Sequence, residues 1–346
     1  MSESECLCER QGSAGFITLN RPHALNALTL GMVREMRRAL DAWSADPSVT
    51  RIVVMGAGEK AFCAGGDIRR LYELGRAGQL DEARRFWREE YELNIVIGRY
   101  PKPYISLIDG IVMGGGVGVS LHGSHRVAGE RYLFAMPEVG IGFFPDVGAT
   151  YALPRLPGRT GAYIALTGDR IRQADALHLG LATHAAASGS FPALRDALAA
   201  GEPVDSVLAR HAVDPGPAPL DVLRPVIDRC FAAETVPAIL QALEADGSDF
   251  ALKTAATMRS KSPTSLAISD QQMRRGAALT LEEAMRLEFR VVSRICEGHD
   301  FYEGVRAAII DKDGAPRWQP ESLDGLDPAA IERHFADLGP DELKAP

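Results

Sequence analysis

Cysteine is scarce in this sequence. Five are spread over 346 residues, at Cys6, Cys8, Cys63, Cys230 and Cys296. So odd and irregular a set builds no disulfide framework and fits a reducing compartment. Cys6-Leu7-Cys8 could be half of a metal site, but no second Cys/His pair at ligand spacing follows. Two thiols on a frayed N-terminus is the expectation. A basic surplus is missing too. Lys and Arg number 38 against 46 Asp and Glu, a formal net charge of −8, which disfavours nucleic acid as the main partner. The opening MSESECLCER has neither the apolar h-region of a secretory signal nor the Arg-rich, acid-poor character of a transit peptide, so a cytoplasmic protein is expected.

Several chemical signatures are absent as well. No Gly-Lys pair occurs, which excludes the usual phosphate-binding loop. Met113 to Gly118, MGGGVG, is glycine-rich, but no glycine follows at the dinucleotide-fingerprint spacing. Ser120 is not in a nucleophile elbow, and no H-E-x-x-H occurs. His122 and His125 have no carboxylate ligand nearby in sequence, so they read as satisfied histidines, and no metal is expected. Tyr104 to Gly123 is nearly uncharged and long enough to span a bilayer. Asp109 and the glycine triplet argue instead for a buried strand, a turn and a buried helix in a soluble protein.

What remains is ordinary globular composition, 46% hydrophobic and 24% charged. GFITLN (Gly15 to Asn20) and RIVVMG (Arg51 to Gly56) read as strands. Val33, Met36, Leu40 and Trp43 fall at helical spacing. Helices are expected from Asp67, over Leu80 to Val96, Gly161 to Leu166 and Gln173 to Leu179, with a strand pair around Arg126 and Tyr132 to Ala135. Strands alternating with helices give an α/β class. After the Pro-rich stretch VDPGPAP (Val213 to Pro219) the chain reads as helices, at Ala238 to Leu243, Ser265 to Arg274 and Leu281 to Cys296. The expected division is a core over residues 1–210 and a helical region over 211–346, with the tail from Pro316 wrapping the surface.

One run stands out. MPEVGIGFFPDVG, Met136 to Gly148, sets Glu138 and Asp146 among apolar residues, glycine and proline. A core avoids unpaired acids and a solvated loop carries more polar residues, so carboxylates at a cavity wall are the reading. Phe143 and Phe144 either shape that cavity or belong to ordinary core. Two glycine-rich turns, Ala64 to Asp67 and Gly114 to Gly116, each precede a helix. Free N–H groups from two such loops, if they converge, form an oxyanion hole; taken alone, each is a tight turn.

The segments NRPHALNAL (Asn20 to Leu28), KAFCAGGDIR (Lys60 to Arg69), GIVMGGGVGVS (Gly110 to Ser120) and FAMPEVGIGFFPDVG follow one another in an order that resembles the enoyl-CoA hydratase/isomerase, or crotonase, superfamily. LTGDRI (Leu166 to Ile171) continues the register. FPDVG, REEYELN (Arg88 to Asn94), SPTSL (Ser262 to Leu266) and GHDFYEGVRAAIIDKD (Gly298 to Asp313) are similar to its 3-hydroxyisobutyryl-CoA hydrolase branch.

The resemblance implies a spiral of ββα units with a helical C-terminal region packed on it. It places the oxyanion hole at Gly66 and Gly115, catalytic acids at Glu138 and Asp146, and Glu90 with Gly115, Glu138 and Asp146 around the substrate. The hydratases' second glutamate would stand where this chain has Gly118. The implied activity is hydrolysis of a short branched 3-hydroxyacyl-CoA, with 3-hydroxyisobutyryl-CoA, a valine-catabolism substrate, first. CoA then enters as part of the substrate and no separate cofactor is implied. Arg21, Lys60 and Arg69 are candidates for its phosphates. The alternatives are an enoyl-CoA hydratase or isomerase and a catalytically silent acyl-CoA-binding protein. No membrane partner is expected, and homo-oligomerisation stays open.

Overall fold

The computed structural model describes residues 4–346. Its strands are β1 (Cys6–Gln11), β2 (Ala14–Leu19), β3 (Arg51–Gly56), β4 (Ala61–Cys63), β5 (Tyr104–Ile108), β6 (Ile111–Met113), β7 (His125–Ala128), β8 (Leu133–Ala135), β9 (Ile171–Arg172) and β10 (His184–Ala185). A six-stranded sheet runs in the order β1-β2-β3-β5-β7-β10, and a four-stranded one in the order β4-β6-β8-β9. Pairing is parallel except for β1 with β2 and β8 with β9. Each successive strand pair, β3 with β4, β5 with β6 and β7 with β8, gives its first strand to the larger sheet and its second to the smaller. That alternation is the expected spiral of ββα units. The two strands read around Arg126 and Tyr132 to Ala135 both form, as β7 and β8, and they join different sheets.

The central strands are apolar runs because both faces are covered. All of β5 is buried. One face of the larger sheet packs on the main core. The other carries Phe16, Val53, Ile105 and Val127 against Leu194, Leu198, Val207 and Leu208 of the helices Phe191–Ala199 and Val204–His211.

The frayed N-terminus expected around Cys6 and Cys8 is not what forms. Both thiols lie in β1, paired antiparallel with β2, and Cys6 is buried in the core. Ahead of the strand, Glu5 pairs with Arg21 at 3.1 Å and accepts the Thr29 hydroxyl at 2.8 Å, which ties the chain to the loop before the first helix.

That helix, α1 (Leu30–Ala45), buries Val33, Met36 and Leu40 as their spacing dictates. It is followed by α2 (Ile68–Arg76), α3 (Leu80–Gly98), α4 (Gly115–Leu121) and the single turn α5 (Ala149–Ala152). Asp67 caps α2 by accepting the Arg70 N–H. The uncharged stretch from Tyr104 resolves into β5, a turn at Asp109-Gly110, β6 and α4. Among the described residues no helix is long and apolar enough to cross a membrane.

The C-terminal region is helical, and its helices Pro263–Gly276 and Leu281–Ile295 pack on the core. Thr280 and Glu283 form a capping box at the start of the second. The tail beyond Pro316 follows the surface, pinned by buried Trp318, Ile331, Phe335 and Leu343.

Candidate active site

Three adjacent parallel strands of the smaller sheet deliver the site. The loop after β4 carries Gly65 and Gly66, that after β6 carries Gly114 and Gly115, and that after β8 carries Pro137 and Glu138. The NRPHALNAL segment braces the first loop. Leu28 N–H donates to Gly65 O at 2.8 Å, and Asp67 N–H donates to Leu28 O at 2.9 Å. Asn26, wholly buried, donates from Nδ2 to Ala57 O and Ala61 O at 2.9 Å each. The two glycine loops meet: a Cβ on Gly115 would lie 3.2 Å from the Gly66 nitrogen. Among the described residues, neither the Gly66 nor the Gly115 N–H donates to a backbone carbonyl. Both remain free for an acceptor in the cavity.

That cavity, of about 180 Å³, is lined by Gly66, Gly115, Glu90, Glu138 and Asp146, so every residue singled out for chemistry converges on it. Its apolar wall includes Ile68, Leu71, Trp87, Phe143 and Ile309. Phe143 stacks on Trp87, with ring centroids 5.8 Å apart. Phe144 faces away and belongs to the core, which separates the two readings of the aromatic pair. A Cβ on Gly115 would lie 2.5 Å from Glu90 Oε1 and 3.0 Å from Leu28 Cδ1, so any side chain there displaces the Glu90 carboxylate.

Glu90, Glu138 and Asp146 are all buried. Glu90 Oε1 and Glu138 Oε2 have no hydrogen-bond partner among the described residues, which leaves acceptors free at the cavity. Burial first, and then the negative charge of Asp146, raise Glu138 well above the usual carboxylate range. Glu90 rises for the same reasons, with Glu288 adding to them. Asp146 is pushed by burial up to about 7, opposed by a hydrogen bond that it accepts from Tyr91 Oη.

Tyr91 and Glu288 are the site residues that the sequence reading missed. Tyr91 lies beside Glu90 in REEYELN. Glu288 had its own signal, an acid within the apolar stripe of Met285, Val292 and Ile295. It is fully buried, and burial together with Asp146 pushes it up to about 8, against hydrogen bonds from Thr150 and Gly148.

The basic candidates diverge. Arg21 is engaged by Glu5 and Asp67, each at 3.1 Å, and holds the loop rather than facing a ligand. Arg69 donates to Ile309 O at 3.0 Å at the cavity rim, and the Lys60 side chain is exposed. His122 and His125 do not converge. His122 meets Val147 O at 2.7 Å, while His125 meets Ser124 Oγ at 2.8 Å. At Gly118 the space is already filled, since a Cβ there would lie 2.8 Å from both Asn94 Oδ1 and Val147 Cβ.

The family model of enoyl-CoA hydratase/isomerase matches residues 14–335. The chain belongs to the enoyl-CoA hydratase/isomerase family. Within that family it is 47% identical over 351 residues to a protein of Danio rerio named 3-hydroxyisobutyryl-CoA hydrolase, mitochondrial, covering 99% of this chain and 92% of that one. The Homo sapiens protein of the same name is 45% identical, covering 98% and 90%. Among solved structures, one titled a carnitinyl-CoA dehydratase from Mycobacterium thermoresistibile superposes with a TM-score of 0.95 at 44% identity, covering 99% of each chain. Another, titled an enoyl-CoA hydratase from Rhodobacter sphaeroides 2.4.1, gives 0.93 at 41% identity, covering 99% of this chain and 100% of that one.

Proposed function

We propose that this family member hydrolyses the thioester of a short branched 3-hydroxyacyl-CoA, with 3-hydroxyisobutyryl-CoA the first candidate. The observation that carries the reading is the convergence of Glu138, Asp146 and Glu90 on one small cavity beside the free Gly66 and Gly115 N–H groups. The relatives named for this hydrolase over nearly the whole chain support it.

The thioester oxygen accepts from the two glycine N–H groups, which stabilise the negative charge that develops on it. Glu138, as carboxylate, takes a proton from water while that water attacks the carbonyl carbon. The tetrahedral intermediate then expels the CoA thiolate, and the proton on Glu138 passes to sulfur. A direct attack by Glu138 on the carbonyl uses the same geometry through an anhydride that water opens. Asp146, held by Tyr91, orients the water, and the unpartnered Glu90 Oε1 accepts the substrate's 3-hydroxyl. A cavity of about 180 Å³ suits a short acyl group. CoA is part of the substrate, and no separate cofactor enters these steps.

The second reading, hydration of an enoyl-CoA, is favoured by the titles of the two solved structures described above. Against it stands the filled space at Gly118, where the resemblance places the hydratases' second acid. Incubation with 3-hydroxyisobutyryl-CoA and with crotonyl-CoA, following free thiol and enoyl absorbance, separates the two. Thiol release that falls by about 10²–10⁴-fold in kcat for Glu138→Gln, with CoA binding kept, is the expected result. Loss of enoyl absorbance without thiol release overturns it in favour of the hydratase, and no turnover of either substrate leaves a binding protein.

A further inference from the structure

The turn that carries Asp146 is strained. Val147 has φ +52° and Gly148 φ +89°. A β-branched residue in the left-handed region is strained and persists only where its surroundings over-determine it. Three elements from outside the turn do so. From the helix Leu281–Ile295, Glu288 accepts the Gly148 N–H at Oε2 (2.8 Å) and the Thr150 N–H at Oε1 (2.9 Å). From the helix Pro263–Gly276, Gln272 Nε2 donates to Pro145 O and, at 2.6 Å, to Thr150 Oγ1. From the end of α4, His122 Nε2 lies 2.7 Å from Val147 O; a carbonyl only accepts, so Nε2 carries the proton. A Cβ on Gly148 would lie 2.3 Å from the His122 ring, so the turn and the imidazole fit only with glycine there.

We propose that Glu288 is a positioning residue for Asp146: by accepting the Gly148 N–H of the strained Asp146-Val147-Gly148 turn and the Thr150 N–H of the helical turn that follows, it aims the Asp146 carboxylate at the cavity and at Tyr91. The C-terminal helical region thereby takes part in the site without touching substrate. Glu288 does not line the cavity, so it acts through the backbone of the turn, with its charge beside Asp146 as a second, direct influence. The inference rests on the hydrolase reading only in taking Asp146 as a working group of the site.

The test is a double-variant cycle. Glu288→Gln keeps shape but replaces one acceptor oxygen with a donor, so one of the two N–H groups faces an N–H. The expected result is a folded variant with kcat lower by about 10–100-fold and KM within about threefold. In an Asp146→Asn background the same change should alter kcat by less than about threefold, because Glu288 then has nothing left to aim. Full, additive loss in that background overturns the proposal, since it marks a structural role independent of Asp146. Should Glu288→Gln not fold, His122→Phe removes the donor to Val147 from the other side and is read in the same cycle. The crystal structure of the variant gives a readout that is independent of the reaction. A displaced Val147 turn, with Tyr91 Oη moved beyond about 3.5 Å from Asp146, supports the inference. An unmoved turn overturns it, whatever reaction the wild type performs.

Discussion

Tyr91 and Asp146, 55 positions apart in the chain, are joined by a hydrogen bond of 2.8 Å in which the phenol donates and the carboxylate accepts. The bond favours the ionised form of Asp146 and works against its burial. Glu138 and Glu90 each keep an oxygen without any such partner. The three acids of one cavity are thus made unequal by what donates to them.

The raised acids make stability depend on pH. Asp146 titrates near 7 in the folded protein, against about 4 in an unfolded chain. Between these values the native state holds a proton that the unfolded chain has lost, so stability falls as pH rises through this window and levels off above it. Asp146→Asn removes that fall. We expect its melting temperature to exceed that of the wild type at pH 8, by a margin on the order of 1–4 kcal/mol in stability, and the gap to close by pH 4. A gap that persists at pH 4, or is absent at pH 8, shows that Asp146 is not held protonated.

The proposed oxyanion hole is best tested at Gly66. A Cβ there meets only the Phe86 ring edge, at 3.2 Å, whereas one at Gly115 runs into Glu90. Gly66→Ala keeps the N–H and should retain most turnover. Gly66→Pro removes the N–H and should lose about 10²–10³ in kcat. Equal activities in two folded variants would take Gly66 out of the oxyanion hole.

Gly118→Glu should not create a hydratase. Its side chain would have to displace Asn94 and Val147, both already 2.8 Å from the first added carbon, and Val147 follows Asp146 directly. Gly118→Ala alone should cost roughly 1–3 kcal/mol by overpacking. Thermal melts and crotonyl-CoA absorbance check both; brisk hydration by the Glu variant would show that the missing acid was the only barrier.

Much of this was legible before any coordinates, for physical reasons that can be named. β3 and β5 are buried on both faces and so read as apolar runs. β1 was missed because Glu9, Arg10 and Gln11 lie on a solvent-facing edge and blur the alternation that Cys6 and Cys8 begin. Strands of two or three residues, such as β9 and β4, are too short to carry a period. The helix Pro219–Cys230 contains Pro225 and went unread for that reason. At the site, Glu138, Asp146 and the glycines announced themselves as motifs. Glu288 showed only as an acid within an apolar stripe, and what it does there was hidden because its partners Gly148 and Thr150 lie 140 and 138 positions away, a distance no local pattern spans.

The loops bearing Gly66, Gly115 and Glu138 leave the same edge of three neighbouring parallel strands, β4, β6 and β8. Strands in such a sheet repeat at about 4.8 Å, whatever their side chains. The spacing of the two N–H donors, and the offset of the acid beside them, is therefore a ruler cut into the main chain. Mutation can replace the acids, or shift the turn that carries Asp146, without altering the main-chain spacing that the proposed function assigns to the thioester oxygen. On that proposal, chemistry on this scaffold can change while the two N–H donors stay where they are, so a new reaction here requires new proton carriers and no new sheet.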